Sequence, residues 1–357
     1  MACRARSVLR YGTPRKVVNA FRTEWAFRRH VSDVRVKPYM LIVEPLYYCN
    51  LRCPLCVRET APHARKGKED AGKLPLDLFD QVLEEMGPYL FQCQIFGNGE
   101  PLLDWPRTRE IIVRAHARRI FTLMSSNCTL ITPKIAQELV ASPLDYIICG
   151  IDGLTQQTYE AYRVGGSAED ALGGLHLLVE ERRKQRRKLF IEWQFLINRF
   201  NSHELDDVQK LALELGVYLR ATPIGGVEAD PQLRKHWQAE VSQQAMGDVT
   251  ACSGNDCTYL WRTLTLNANG QVARCNYFGN IAQLGNARGQ LVIDIYNGPD
   301  TRRARQLFSR KPVAAGDFPW PCTNCAVFHR QRGGPAEDVA RVAAAKHAGR
   351  LTILNAG

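Results

Sequence analysis

Between residues 40 and 225 the chain alternates short apolar runs with stretches of helical period. The runs at 40–47, 91–96, 119–124, 145–151, 189–197 and 217–223 predict strands. The segments 76–87, 105–118, 133–141, 168–187 and 203–215 repeat apolar residues every three or four positions and predict helices. Pro75 and Thr132-Pro133 mark two of the helix starts. Strands alternating with helices mean βαβ units on a parallel sheet, an α/β architecture. The polar stretch Thr60–Lys73 has no periodicity and is expected to be a loop.

The alternation stops near 225. Residues 226–250 read as a linker with a short helix. A strand-like Arg262–Asn267, the turn Asn269-Gly270 and a second run to Cys275 predict a hairpin, and from Pro335 an alanine-rich helix and tail are expected. Ahead of residue 40, Val17, Phe21 and Trp25 recur at four-residue intervals among basic residues, which predicts an amphipathic helix starting near Pro14. Its aromatic side is expected to pack on its own domain and leave the bases in water. An anionic membrane surface or a phosphorylated substrate are the alternative partners for those bases.

Composition adds three constraints. Apolar and charged fractions of 45% and 23% are those of an ordinary globular protein, and no run of eighteen apolar residues exists to span a bilayer. The net charge of +11 is concentrated at the front, where residues 1–38 hold ten Lys and Arg against Glu24 and Asp33. No aromatic-and-basic pattern of an RNA-binding module accompanies it, so no nucleic acid is expected. Twelve cysteines without an export signal point to metal or redox chemistry in a reducing cytoplasm rather than to disulfides.

Seven of those cysteines fall into two spaced groups, leaving Cys3, Cys93, Cys128, Cys149 and Cys252. Cys49, Cys53 and Cys56 form C-x3-C-x2-C directly after the apolar run Met40–Leu46. A cubane cluster takes four thiolates and a structural zinc takes four ligands. Three on one loop therefore suggest a cluster with one iron left open to a non-protein ligand; half of a zinc site is the rival. Gly97-Asn98-Gly99-Glu100 closes the second strand, Ser125-Ser126-Asn127 the third and Gly150-Ile151-Asp152-Gly153 the fourth. Glycines let backbone approach a ligand, and a carboxylate can accept from an ammonium group, although the same residues also make ordinary turns. Cys257 and Cys275 with the close pair Cys322 and Cys325 supply four ligands for a second site.

The three-cysteine spacing and the strand-end motifs resemble those of the radical S-adenosylmethionine (SAM) enzymes, and the last four cysteines, with Trp261 and Gly270, resemble the SPASM auxiliary-cluster region. The resemblance implies a partial (β/α)6 TIM-like barrel over 39–225, followed by a small cysteine-rich α+β domain over 251–330 and a tail over 331–357. It implies a [4Fe–4S] cluster on Cys49, Cys53 and Cys56 that chelates SAM, with Gly97, Asn98, Gly99 and Glu100 at its amino group. Ser126, Asn127 and Asp152 correspond to ribose- and carboxylate-contacting strand ends, and Arg163 and Gln194 are further candidates facing the cavity. Asn98 replaces one glycine of the family's segment, and Leu55 stands where many relatives carry an aromatic beside the adenine. Cys257, Cys275, Cys322 and Cys325 would hold one auxiliary [4Fe–4S] cluster, as in the shortened SPASM region of aminocyclitol dehydrogenases; a zinc ion is the rival there.

The function so implied is reductive cleavage of SAM to a 5′-deoxyadenosyl radical, hydrogen abstraction from a substrate C–H, and net two-electron oxidation of a sugar, aminocyclitol or related small molecule. A flavodoxin or ferredoxin would supply the first electron. Arg163, Asp152 and His203 are candidate bases. An epimerase with Cys252 as hydrogen donor and a peptide maturase are the alternatives, the second disfavoured because residues 1–38 are short for a precursor-binding domain. A non-catalytic iron–sulfur or zinc protein would need no SAM-binding strand ends.

Overall fold

A computed structural model describes residues 10–60, 72–225, 231–239, 257–275, 283–309 and 322. The six expected strands are β1 (Met40–Val43), β2 (Gln92–Ile95), β3 (Phe121–Ser126), β4 (Tyr146–Gly150), β5 (Phe190–Ile197) and β6 (Tyr218–Pro223). They lie side by side in chain order and all run parallel. Helices Leu76–Met86, Trp105–Ala117, Pro133–Ala141, Ala168–Lys184 and Leu205–Leu215 form the crossovers. This is the α/β partial barrel the pattern and the resemblance implied. A further strand, β7 (Thr263–Leu266), joins it in parallel beside β1, and β8 (Gln271–Ala273) and β9 (Gln283–Asn286) continue antiparallel, giving nine strands in one sheet among the described residues.

Alternation along each strand separates two environments. Leu41, Val43, Cys93, Ile95, Met124, Ile147, Ile191 and Trp193 face the helices in one continuous core. Each such side chain contributes about 1.5–3 kcal/mol when fully buried. The opposite face lines the barrel. At its N-terminal end Phe121, Leu123 and Tyr146 pack with Tyr11, whose hydroxyl donates to Asp145 (2.6 Å). Toward the C-terminal end the same face turns polar, with Gln94, Ser125, Gln194, Arg220 and Thr222 half-buried.

Element boundaries differ from expectation for local reasons. β1 ends at Val43 and not at 47, because Pro45 lacks an N–H and Leu46 makes only an isolated bridge to Lys73. β3 begins at Phe121, since Arg119 (φ 56°) makes the left-handed turn out of the preceding helix. Pro75 stands at the N-cap and not at the first helical position. The expected helix over 203–215 splits into a 3-10 turn, Ser202–Glu204, and a helix from Leu205.

The N-terminal helix, Pro14–Arg28, starts where predicted, with Thr13 accepting from Lys16 N at its cap. Its orientation reverses the expectation. Val17, Phe21 and Trp25 are exposed, whereas Lys16, Asn19, Thr23, Ala26 and Phe27 are buried. Polar partners decide this. Lys16 Nζ donates to the carbonyls of Arg118 and Arg119 at the end of the helix Trp105–Ala117. Asn19 exchanges two bonds with the backbone of Lys37 (2.8 and 3.1 Å), and Thr23 donates to Asn19 O (2.8 Å). Glu24 pairs with Arg262 (2.6 Å), and Phe27 packs edge-on against Trp261 (5.6 Å), so the helix is fastened to both barrel and auxiliary region. A buried polar face is stable only when satisfied in this way.

Candidate active site

Cys49, Cys53 and Cys56 lie on the loop that follows β1, at the C-terminal end of the barrel strands where α/β barrels carry their chemistry. A turn from Cys56 N to Cys53 O (3.0 Å) and a bond from Arg52 N to Val164 O (3.0 Å) shape the loop. Leu51 N donates to Cys49 Sγ (3.4 Å). Cys53 is buried and the other two are half-buried, beneath Leu51, Tyr162, Ile224 and Trp237, with Leu55 packed against the same group. Trp237 comes from the helix Pro231–Trp237, so the linker's short helix covers this loop. Burial pushes the Cys53 thiol up to about 11, Arg163 opposes the shift, and Cys49 and Cys56 reinforce it. Among the described residues no three His, Cys, Asp or Glu side chains converge tightly enough for one metal ion. A four-iron cluster is wider than an ion and takes its thiolates further apart.

The Gly97–Glu100 turn is welded to this loop. Glu100 N donates to Tyr48 O (2.7 Å), and a Cβ on Gly99 would stand 2.1 Å from Leu46 O, so only glycine allows that approach. A Cβ on Gly97 would strike the Glu44 side chain (2.7 Å). The Glu100 carboxylate is buried and accepts from Ser126 Oγ (2.8 Å), Asn127 N (2.8 Å) and Leu102 N (3.1 Å). Burial raises its pKa while those bonds oppose the rise. Ser126 therefore faces Glu100, and its neighbour Ser125 occupies the barrel face of β3. Asn127 Nδ2 donates to Asn50 Oδ1 (2.9 Å), and Thr129 joins both asparagines (2.7 and 2.8 Å). Glu100, Ser126 and Asn127 thus bind β3 to the cysteine loop.

Asp152 follows β4 and is wholly buried. Its carboxylate accepts from Arg163 Nε and from Leu196 N, both at 2.6 Å. Burial raises the Asp152 pKa against the pull of Arg163, and Asp152 in turn holds the guanidinium charged. Arg163 Nη1 lies 4.0 Å from Cys53 Sγ, and Gly150 leaves room for Nη2, where a Cβ would come within 2.8 Å. Asp152 and Arg163 thus act as one unit beside the cysteine loop. Gln194 is half-buried on the barrel face of β5, while His203 is exposed on the 3-10 turn, apart from that group.

The sequence reading passed over Glu44 and Glu192. Glu44 is buried just beyond β1 and accepts from Asn98 N (2.9 Å), Asn98 Nδ2 (3.0 Å) and Ala268 N (3.1 Å). It joins the cysteine-loop side of the barrel to the end of β7. Glu192, on the barrel face of β5, is buried against Tyr146 and pairs with Arg220 (2.5 Å). A carboxylate inside an otherwise apolar strand run was the available signal for both.

In the auxiliary region Cys257 packs against the cluster holding Cys322, Leu260 and Trp261. Cys275 follows the hairpin after Arg274, whose Nη1 lies 3.7 Å from Cys322 Sγ. Arg274 is buried and its Nε has no partner among the described residues. A buried cation against cysteine sulfur suits an anionic multi-thiolate site. Cys252 and Cys325 lie outside the described residues.

The radical SAM superfamily profile matches residues 43–191, and the SPASM iron-sulfur cluster-binding domain matches residues 257–326. The chain is 29% identical over 189 residues to mycofactocin maturase MftC of Mycobacterium tuberculosis, covering 52% of this chain and 44% of that protein. It is 31% identical over 173 residues to the AdoMet-dependent heme synthase of Nitratidesulfovibrio vulgaris, covering 47% and 43%. It spans under half the length of these relatives. The fold resembles Streptococcus suis SuiB (TM-score 0.55, 14% identity, 81% of this chain and 72% of that one). A radical SAM domain works with a [4Fe–4S] cluster and SAM, and a SPASM domain with an auxiliary iron–sulfur cluster. Residues 43–191 thus form a domain of the radical SAM superfamily, and residues 257–326 a SPASM domain that follows it.

Proposed function

We propose that this radical SAM enzyme carries out a net two-electron oxidation of a small hydroxylated substrate, such as a sugar or aminocyclitol, held in the polar half of the barrel. Once reduced by an external donor, the first cluster would give SAM the one electron that cleaves it to methionine and a 5′-deoxyadenosyl radical, able to take a hydrogen atom from an unactivated C–H bond. Cys49, Cys53 and Cys56 would hold that cluster, and Cys257, Cys275, Cys322 and Cys325 the auxiliary one. The barrel-facing Ser125 and Gln194 would meet SAM or substrate. Ser126, Asn127 and Glu100 position the cysteine loop, and Asp152 positions Arg163. Arg163 stays protonated in this setting, so it binds and orients an oxygen of SAM or substrate and does not serve as a base.

The observation that carries this reading is the pairing of β1 with β7, Met40 opposite Thr263 through Val43 opposite Leu266, locked by Glu44 to Ala268. It ties the hairpin that leads to Cys275 into the sheet whose first strand leads to the SAM-site loop, which supports passage of a second electron between the two sites. The names of the maturase relatives favour a second reading, modification of a peptide. The test incubates anaerobically reconstituted enzyme with SAM, dithionite and either deuterated polyols and aminocyclitols or deuterated peptides. Deuterium in 5′-deoxyadenosine from a polyol, with one SAM consumed per oxidised product, supports oxidation. Transfer from peptide alone replaces it with the second reading.

A further inference from the structure

The helix Pro14–Arg28 shows solvent the side that a globular protein normally hides. Phe21 is 73% exposed, Trp25 55%, Val18 49% and Val17 46%. Positions 17, 21 and 25 stack on one face with 18 beside them, opposite the buried Lys16, Asn19 and Thr23. Arg15, Arg22, Arg28 and Arg29 border the stripe and are exposed too. The helix's one acid, Glu24, is turned away to Arg262 and Tyr39 (2.6 Å each). Beside the stripe a groove of about 450 Å³ gathers Arg15, Arg22, Arg35 and Lys37 around Tyr89. Arg15 donates to the Tyr89 hydroxyl (2.6 Å), and Lys37 lies 4.0 Å above its ring.

From these contacts we infer that this face docks on an anionic phospholipid surface. Valine and phenylalanine would enter the boundary between headgroups and acyl chains, and tryptophan would sit at headgroup level. The arginines and the cationic groove would engage lipid phosphates. A soluble phosphate or a nucleic acid would satisfy the arginines yet leave the apolar stripe in water. A second copy meeting this face symmetrically would bring like charges together. Lys16 binds the carbonyls of Arg118 and Arg119, just before β3, and Asn19 binds Lys37, just before β1. The helix therefore crosses the N-terminal ends of the strands. The cysteine loop, at their other ends, would open away from the bilayer toward dissolved substrate.

The test is flotation of the full reconstituted chain with vesicles of phosphatidylcholine alone or mixed with phosphatidylglycerol. Wild type should float with the mixed vesicles and not with phosphatidylcholine, and salt should release it. Phe21→Asp/Trp25→Asp should abolish flotation. Arg22→Gln/Arg28→Gln should weaken it about thirtyfold, from the roughly fivefold that one cation contributes near an anionic surface. Leu213→Asp, at an exposed leucine elsewhere, should leave it unchanged, and all variants should keep wild-type iron content. Absence of flotation, equal flotation on phosphatidylcholine, or flotation surviving Phe21→Asp/Trp25→Asp would overturn the inference. So would a solution dimer that the same double variant dissolves.

Discussion

Each group of cysteines has an arginine against one of its sulfurs, Arg163 half-buried and Arg274 buried, and the two are balanced differently. Arg163, 4.0 Å from Cys53 Sγ, is neutralised by the buried Asp152. Arg274, 3.7 Å from Cys322 Sγ, has no paired carboxylate and an unpartnered Nε among the described residues. The arginine at the first group has its charge compensated by a carboxylate; the arginine at the second has no such carboxylate among the described residues. A cation held beside a cluster without a paired carboxylate would stabilise its more reduced, more negative form and raise its potential. That is the polarity an electron acceptor needs, the role proposed above for the auxiliary site.

The largest effect expected to sharpen this contrast comes from Cys53→Ala, which should abolish SAM cleavage and lower iron from about eight to about four atoms per chain, since each cubane cluster holds four. Cys257→Ala should remove iron to a similar extent yet leave reductive cleavage of SAM measurable in the absence of turnover. Loss of both activities together would show that the sites are not separable. Arg163→Lys retains charge but cannot reproduce the guanidinium's fork between Asp152 and Cys53, so about tenfold slower SAM cleavage with unchanged iron is expected from assays of 5′-deoxyadenosine. Arg274→Met should lower the auxiliary potential in a redox titration while leaving the SAM-site signal in place; an unmoved potential would break the contrast. The smallest effect is at the joint. Glu44→Gln should destabilise the chain by about 1.5–3 kcal/mol, the usual contribution of a hydrogen bond to a buried charge, read by denaturant unfolding.

The sequence disclosed most where chemistry and periodicity were contiguous. The C-x3-C-x2-C loop, the six strands and their crossovers could be read because each depends on near neighbours. What Glu100 and Ser126 do could not, because they bind each other across 26 residues, and neither side chain announces its partner. Glu44 was hidden for the same reason, its partners being Asn98 and Ala268. The N-terminal helix shows the limit most clearly. Its period was plain, but the choice of face followed from distant carbonyls at Arg118 and Arg119 and from Lys37. Helix Leu76–Met86, by contrast, buries its apolar Leu78, Phe79, Val82 and Leu83 as its pattern dictates. Periodicity defines two faces; tertiary partners choose between them.

The most direct test of two iron–sulfur sites with distinct roles is iron and sulfide content with EPR of anaerobically reconstituted protein. Wild type would be set beside Cys49→Ala/Cys53→Ala/Cys56→Ala, each with and without SAM. About eight irons falling to about four, with a signal that SAM perturbs only in wild type, is the predicted result. Four irons with bound zinc, or a wild-type signal indifferent to SAM, would contradict it.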